Sequence, residues 1–223
     1  MRLIVAADPA AAAEAGAVWI ARRLRGAVGR RGAATVAFSG GSTPALMLDV
    51  LARLDVPWPS VHAYQVDERV APDGDPARNV RLLDVLPIAR ANLHAMPVAA
   101  RDLRRGARRY GAALPHRLDV VHLGVGDDGH TASWPPGDPV IDAVDPVALC
   151  DPYAGFVRMT LTPPAVNAAR ARLVLAVGSS KRPVLERWLH RDRTLPVARV
   201  RRTGTTLVLD AAATPRGAPA AAN

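Results

Sequence analysis

Four polar or glycine-rich segments in this chain each follow directly on a short apolar run, and that order constrains the fold more than anything else in it. Ala34 to Phe38 runs into Ser39-Gly40-Gly41-Ser42-Thr43-Pro44. Val61 to Val66 runs into Asp67-Glu68-Arg69. Asp119 to Val125 ends in Gly126-Asp127-Asp128-Gly129-His130, and Leu173 to Val177 in Gly178-Ser179-Ser180-Lys181. Further apolar runs at Leu3 to Ala6, Val157 to Leu161 and Leu207 to Leu209 read as strands. Between the runs lie helix signals: Asp8-Pro9 as cap and first-turn residue before Val18, Trp19, Ile20 and Leu24, then Leu46, Leu48, Val50 and Leu51, then a helix after Lys181. Strand alternating with helix predicts α/β: a single-domain, Rossmann-like, open and mainly parallel sheet with helices on both faces. In such a sheet the C-terminal strand ends share one edge, so the four segments are expected to converge on one cleft.

The chain's 223 residues suit one α/β domain and are short for two. No repeat or linker divides them. The expected domain is 1–212, followed by an Ala/Pro/Gly-rich tail, 213–223, whose composition points to disorder. The N-terminal apolar stretch is too short for a signal-peptide core, and no run approaches the roughly 18 apolar residues of a membrane span. One cysteine, Cys150, forms no internal disulfide and fits the cytoplasm. A net charge of +9 admits nucleic acid as a partner, but the arginines are spread along the chain. The densest group, Arg101 to Arg109, reads as a solvated helix face, and 4% aromatic residues give no stacking platform. A basic excess equally suits an anionic small-molecule substrate, with no nucleic acid, membrane or obligatory protein partner.

Of 29 basic residues one is lysine, Lys181. It stands at a helix start, where a cation is unfavourable unless an anion sits nearby. Gly178 to Lys181 and Gly40 to Thr43 share one plan: strand, glycine, hydroxyls, helix N-terminus. Backbone N–H groups there can cradle phosphate; the plain alternative for either is a capped tight turn. Neither is a Walker loop. Gly126 to His130 sets a histidine two residues after a carboxylate in a glycine-flanked loop, a pattern suited to a general base that activates water. A Gly-x-Ser-x-Gly elbow is absent, so no serine nucleophile is indicated. His62, His94, His116, His122 and His190 have no such setting and read as core or surface. No metal-ligand spacing is present, and no cofactor is expected. Asp67-Glu68-Arg69 reads either as part of the site or as a surface ion-pair run.

These residues together resemble the 6-phosphogluconolactonases of the wider glucosamine-6-phosphate isomerase/6-phosphogluconolactonase superfamily, over about residues 3 to 212. The resemblance rests on Ser39 to Pro44, Asp67 to Arg69 with Pro72 and Asn79, and Gly126 to Ser133. It continues through Arg158 to Pro164, Asn167 to Ala169, Lys181 and Leu195-Pro196. It implies hydrolysis of 6-phospho-D-glucono-1,5-lactone in the oxidative pentose phosphate pathway. His130 would be the base and Asp128 its support. Gly40, Gly41, Ser42, Thr43 and Lys181 would hold phosphate. Asp67, Arg69 and Arg158 would complete the substrate site, the arginines contacting the anionic substrate or stabilising the oxyanion. Trp134-Pro135 and Arg78 depart from the family pattern and bear on the shape of the sugar pocket. The rival readings are a glucosamine-6-phosphate deaminase, which needs more acid/base groups than Thr131, Ser133 and Trp134 supply after His130, and a non-catalytic phosphosugar-binding module.

Overall fold

The computed structural model describes residues 1–216. In chain order the elements are β1 (Arg2–Ala6), α1 (Pro9–Arg31), β2 (Ala34–Phe38), α2 (Ser42–Arg53), β3 (Val61–Gln65), β4 (Asp67–Arg69), β5 (Leu93–His94) and α3 (Leu103–Ala113). They continue with β6 (Val120–Leu123), β7 (Val147–Tyr153), β8 (Phe156–Leu161), α4 (Pro163–Ala168), β9 (Ala171–Ala176), α5 (Arg182–Leu189) and β10 (Thr205–Asp210).

Local signals set the boundaries where the sequence is explicit. Asp8 caps α1 by accepting from Ala11 N–H at 2.8 Å, Pro9 fills the first turn, and Gly32 ends the helix at φ 77° with its N–H on Val28 O. In the sheet the apolar runs bury both faces. Val36 and Phe38 face α1 and α2, while Ala37 faces the opposite layer. Val120 against Val121 and Leu123, Leu173 and Leu175 against Val174, and Val208 against Leu207 and Leu209 divide the same way. Continuous hydrophobicity of this kind belongs to a parallel strand covered on both sides.

Seven strands form the parallel sheet in the order β1-β10-β9-β6-β2-β3-β5. From β2 the chain steps one way to β3, while β6 lies on the other side of β2 and leads on to β9. The strand order therefore reverses between β2 and β6, the switch point where open sheets form a crevice. α1 and α2 cover one face. α3, α4, α5 and a second small sheet cover the other.

That second sheet corrects the expectation for two segments. Val157 to Leu161 does not join the parallel sheet, and Asp67 to Arg69, expected only as a polar segment at the end of a strand, is itself a strand. They pair antiparallel as β8 and β4 in a three-stranded sheet, β4-β8-β7, whose third strand the sequence reading missed. The expected tail also starts later than 213. Ala213 is fully buried, its N–H and the Thr214 hydroxyl both bond to Asp210, and Arg216 N–H reaches Glu186. The rest of that expectation, 217–223, lies outside the described residues.

His122 on β6 is fully buried beside Phe38, and neither ring nitrogen has a hydrogen-bond partner among the described residues. Burial disfavours the charged ring and pushes its pKa down to about 3. Below pH 6.5 the unfolded chain then takes up a proton that the folded chain refuses. Stability is lost as pH falls from about 6.5 towards 3, by up to roughly 1.4 kcal/mol per pH unit. His122→Leu should lose less unfolding free energy than the wild type between pH 6.5 and 4.5 in urea titrations. Equal losses in the two proteins would mean that His122 does not drive the acid sensitivity.

Candidate active site

The segment after β2 becomes the first turn of α2. The helix starts at Ser42, so Pro44 is its third residue. Its missing N–H costs nothing there, because first-turn N–H groups have no intrahelical acceptor. Gly41 precedes the helix at φ 119°, a conformation that favours glycine. Gly40 is small for a different reason from the expected approach of a ligand. A Cβ there would stand 1.8 Å from Asn79 Oδ1.

The segment after β6 folds back on itself, with Gly126 N–H on His130 O at 2.8 Å and Gly129 N–H on Gly126 O at 3.0 Å. Gly129 sits at φ 87°. This tight loop brings Asp128 Oδ1 to 3.0 Å from His130 N and 2.6 Å from His130 Nδ1. A Cβ on Gly126 would lie 2.0 Å from Nδ1 and 2.6 Å from Asp128 Oδ1, so the pair fits only over a glycine. With Nδ1–H donated to the carboxylate, the neutral ring keeps a free lone pair on Nε2. Burial raises the pKa of Asp128, but bonds from His130 N–H, the Tyr153 hydroxyl and the His130 ring outweigh it and leave the carboxyl below its usual range. Tyr153 OH donates to Asp128 Oδ2 at 2.8 Å.

After β9, Gly178 (φ 94°) is pinned by its N–H to the buried carboxylate of Asp210 at 3.0 Å and leads through a single 3₁₀ turn to Lys181. The anion that Lys181 needs is present in the protein itself. Its Nζ lies 2.7 Å from Asp127 Oδ1, and this bond above all holds the Asp127 carboxyl below its usual range.

The small sheet supplies the opposite wall. β4 and β8 pair Arg69 with Arg158, setting two guanidinium groups side by side. Arg69 donates to Ala77 O and Asn79 Oδ1, at 2.7 and 2.8 Å. Both arginines keep a buried Nε with no partner among the described residues. Burial, then the like charge of Arg69, lowers the pKa of Arg158. Asp67 is buried beneath them, accepting from Ser133 Oγ at 2.9 Å and Asn79 Nδ2 at 3.3 Å. Its burial raises the pKa above the usual carboxylate range despite the Ser133 bond and both arginines.

A cleft of about 220 Å³ opens at the switch point, and Gly40, Gly41, Ser42, Thr43, Asp67, Arg69, His130, Arg158 and Lys181 all line it. Asp128, the remaining candidate, stands behind His130 and touches the cleft through that ring. Asp67 and Arg69 therefore line the cleft and Glu68 is buried behind it, so the three are not a surface ion-pair run. The two departures from the family pattern face elsewhere. Trp134 is fully buried with its indole N–H on Leu161 O. Arg78 is buried 3.2 Å from Glu68 and donates to Ala71 O.

The sequence reading gave no role to Asn79, Asp127 or Tyr153. Asn79 was visible as part of the resemblance. Asp127 was visible beside Asp128. Tyr153 carried no signal, because it arrives from a strand that was not recognised. Among the described residues no three His, Cys, Asp or Glu side chains converge to hold a metal ion, and no helix is long and apolar enough to cross a membrane.

Residues 7–209 match the family model described as glucosamine-6-phosphate isomerases/6-phosphogluconolactonase. The chain belongs to this family. It is 36% identical over 183 residues to the 6-phosphogluconolactonase of Synechocystis, across 75% of this chain and 76% of that one. It is 35% identical over 195 residues to that of Rhizobium meliloti, across 80% and 83%. The crystal structure of a 6-phosphogluconolactonase from Shewanella baltica superposes with a TM-score of 0.85 at 26% identity, covering 95% of this chain and 98% of that one. A monomeric glucosamine-6-phosphate deaminase superposes at 0.83, covering 96% and 98%, but at 16% identity this shows the shared fold alone.

Gly126→Ala tests the packing of the Asp128–His130 pair. The added methyl must displace the ring, so turnover should fall by on the order of 10²-fold, the usual contribution of a positioned base. Phosphorylated ligands should still bind. Steady-state kinetics beside a titration with 6-phosphogluconate would check this, and full turnover would show that the ring does not depend on the space above Gly126.

Proposed function

We propose that this chain is a 6-phosphogluconolactonase, hydrolysing 6-phospho-D-glucono-1,5-lactone to 6-phosphogluconate in the oxidative pentose phosphate pathway. The observation that carries the reading is the Asp128–His130 pair in the same cleft as the glycine-hydroxyl loop at the start of α2 and two arginines whose Nε is unpaired among the described residues. The substrate is an anionic sugar, and the site is built for one. The lone buried thiol of Cys150 suits work in the cytoplasm.

The substrate phosphate lies at the start of α2, against the N–H groups and hydroxyls of Ser42 and Thr43, with Lys181 turning from Asp127 to meet it. This sets the lactone carbonyl towards His130 and the arginines. Nε2 of His130 takes a proton from water as the water oxygen bonds to C1. The imidazolium is held by Asp128, and the new oxyanion is met by Arg69 and Arg158. Collapse breaks the bond between C1 and the ring oxygen, and that oxygen takes its proton back from His130. The carboxylic acid formed then releases one proton to solvent, so each turnover yields one titratable proton.

The deaminase reading is weaker on chemistry. Aldose–ketose isomerisation needs proton transfer between adjacent carbons, and the residues after His130 offer no second acid or base. Thr131 is tied to Gly124 O, Ser133 to Asp67, and Trp134 is in the core.

His130→Ala should reduce proton release from fresh 6-phosphogluconolactone by on the order of 10²–10⁴-fold over the subtracted background, while 6-phosphogluconate still binds. Near wild-type turnover would remove His130 from its role. Lys181→Ala should weaken 6-phosphogluconate by about tenfold or more and leave unphosphorylated gluconate unchanged. Equal losses for both would make Lys181 a structural partner of Asp127. With glucosamine-6-phosphate the wild-type enzyme should release no ammonia. Ammonia without lactone hydrolysis would favour the deaminase, and silence in both assays the binding module.

A further inference from the structure

The strand β7 ends at Tyr153 in a tight hairpin whose two central residues, Ala154 (φ 49°) and Gly155 (φ 83°), both lie in the left-handed region. That is the turn geometry which best matches the twist of paired strands, and it fixes where Tyr153 stands. The pairing of β7 with β8 also slips by one residue between Cys150 and Tyr153. Cys150 faces Arg158, but Tyr153 and not Pro152 faces Phe156. Cross-strand partners share a face of a sheet, and Phe156 shares its face with Arg158 two residues on. The extra residue therefore turns Tyr153 onto the side of Arg158, the side that lines the cleft. The Arg158 guanidinium lies over the Tyr153 ring, 5.2 Å from its centre.

From there the phenol crosses the seam between the two sheets. Its hydroxyl lies 2.8 Å from Asp128 Oδ2 and 3.1 Å from His130 Nδ1, and its ring meets the imidazole edge-on at 5.2 Å. Asp128 thus has its two oxygens divided between two donors, His130 on Oδ1 and Tyr153 on Oδ2. Without Tyr153 the carboxylate is held among the described residues at Oδ1 alone, by the N–H and ring of His130, on a side chain 37% exposed in a glycine-flanked loop. A carboxylate gripped at one oxygen can swing about that contact; gripped at both, it cannot.

We propose that Tyr153 is a positioning residue for the hydrolysis assigned above, fixing Asp128 so that His130 presents Nε2 to water. The inference rests on that assignment of His130. The charged and titratable groups that meet the phenol are Asp128, His130 and Arg158, and it does not touch the phosphate loop. Its effect should accordingly fall on turnover and not on binding. Its hydroxyl also draws charge from Asp128. Losing it leaves Asp128 a stronger acceptor for the imidazolium, so His130 should be easier to protonate.

The test is Tyr153→Phe, which keeps the ring over His130 and removes one oxygen. A hydrogen bond to a charged group is lost, so kcat should fall by about five- to tenfold. KM and 6-phosphogluconate affinity should stay within about twofold, and the acid limb of the kcat/KM profile should move to higher pH. On an Asp128→Asn background the same change should cost little more, because both act through one group. Unchanged kcat and acid limb in Tyr153→Phe would overturn the proposal. So would a full, independent loss on the Asp128→Asn background, or a matched rise in KM with a lowered melting temperature, which mark a merely structural phenol. His130→Ala in the same assay separates the two claims. If it stays active, the base is elsewhere and the role of Tyr153 goes with it. If it is inactive while Tyr153→Phe is normal, only the tyrosine assignment falls.

Discussion

One wall of the cleft traces back to a buried carboxylate, Glu68. Fully enclosed, it accepts from Gln65 Nε2, from the N–H groups of Arg69, Asn79 and Val80, and lies 3.2 Å from the Arg78 guanidinium. An ion this far from water is tolerable only when its oxygens are occupied on all sides, and removal of a partner from such an arrangement typically costs about 3–5 kcal/mol. The requirement ties β3, β4 and the segment from Ala71 to Val80 into one body. Asn79, fixed through its backbone, can then send its side chain in three directions: to Arg69, to Asp67 and over Gly40. Glu68 does not itself line the cleft, yet through Arg69 and Asn79 it ties the arginine wall to the loop at Gly40.

The parallel sheet was legible from the sequence because its strands are continuous apolar runs, each closed by a glycine or a polar cluster. That pattern also gave the site, since a parallel sheet gathers its C-terminal ends whatever their separation along the chain. Lys181 and Gly40, 141 residues apart by number (181 − 40), line the same cleft for that reason alone. The small sheet was not legible. β7 reads Val-Ala-Leu-Cys-Asp-Pro-Tyr, with a proline near its end and a slipped register, so neither alternation nor continuity marks it. β4 is three charged residues long, and its strand character comes from pairing with β8. Tyr153 was hidden with them. For Gly40 the sequence shows a loop glycine and not what packs over it. The space above it belongs to Asn79, a contact that only tertiary structure brings about.

Arg78 and Trp134 show how far a departure from a family pattern can be from the place it alarms. Arg78 precedes Asn79, which lines the cleft, and Trp134 follows Ser133, which donates to Asp67, yet both departing side chains are buried away from the cleft. Arg78 closes the Glu68 shell and Trp134 fills the core under the small sheet. The cleft keeps its lining because neither altered side chain is part of it.

The division of labour between the two sheets has an outcome for how such an enzyme can change. His130, Asp128, Lys181 and the start of α2 hang from the long-lived frame of the parallel sheet. Arg158 and Tyr153 hang from a hairpin that turns through Ala154 and Gly155 at the molecule's rim. A rim hairpin can lengthen, shorten or exchange its tip without disturbing the buried strands beneath. A lineage that keeps this frame can therefore vary at the hairpin, where each change of length or tip resets Arg158 and Tyr153 together while the residues carried by the parallel sheet stay in place.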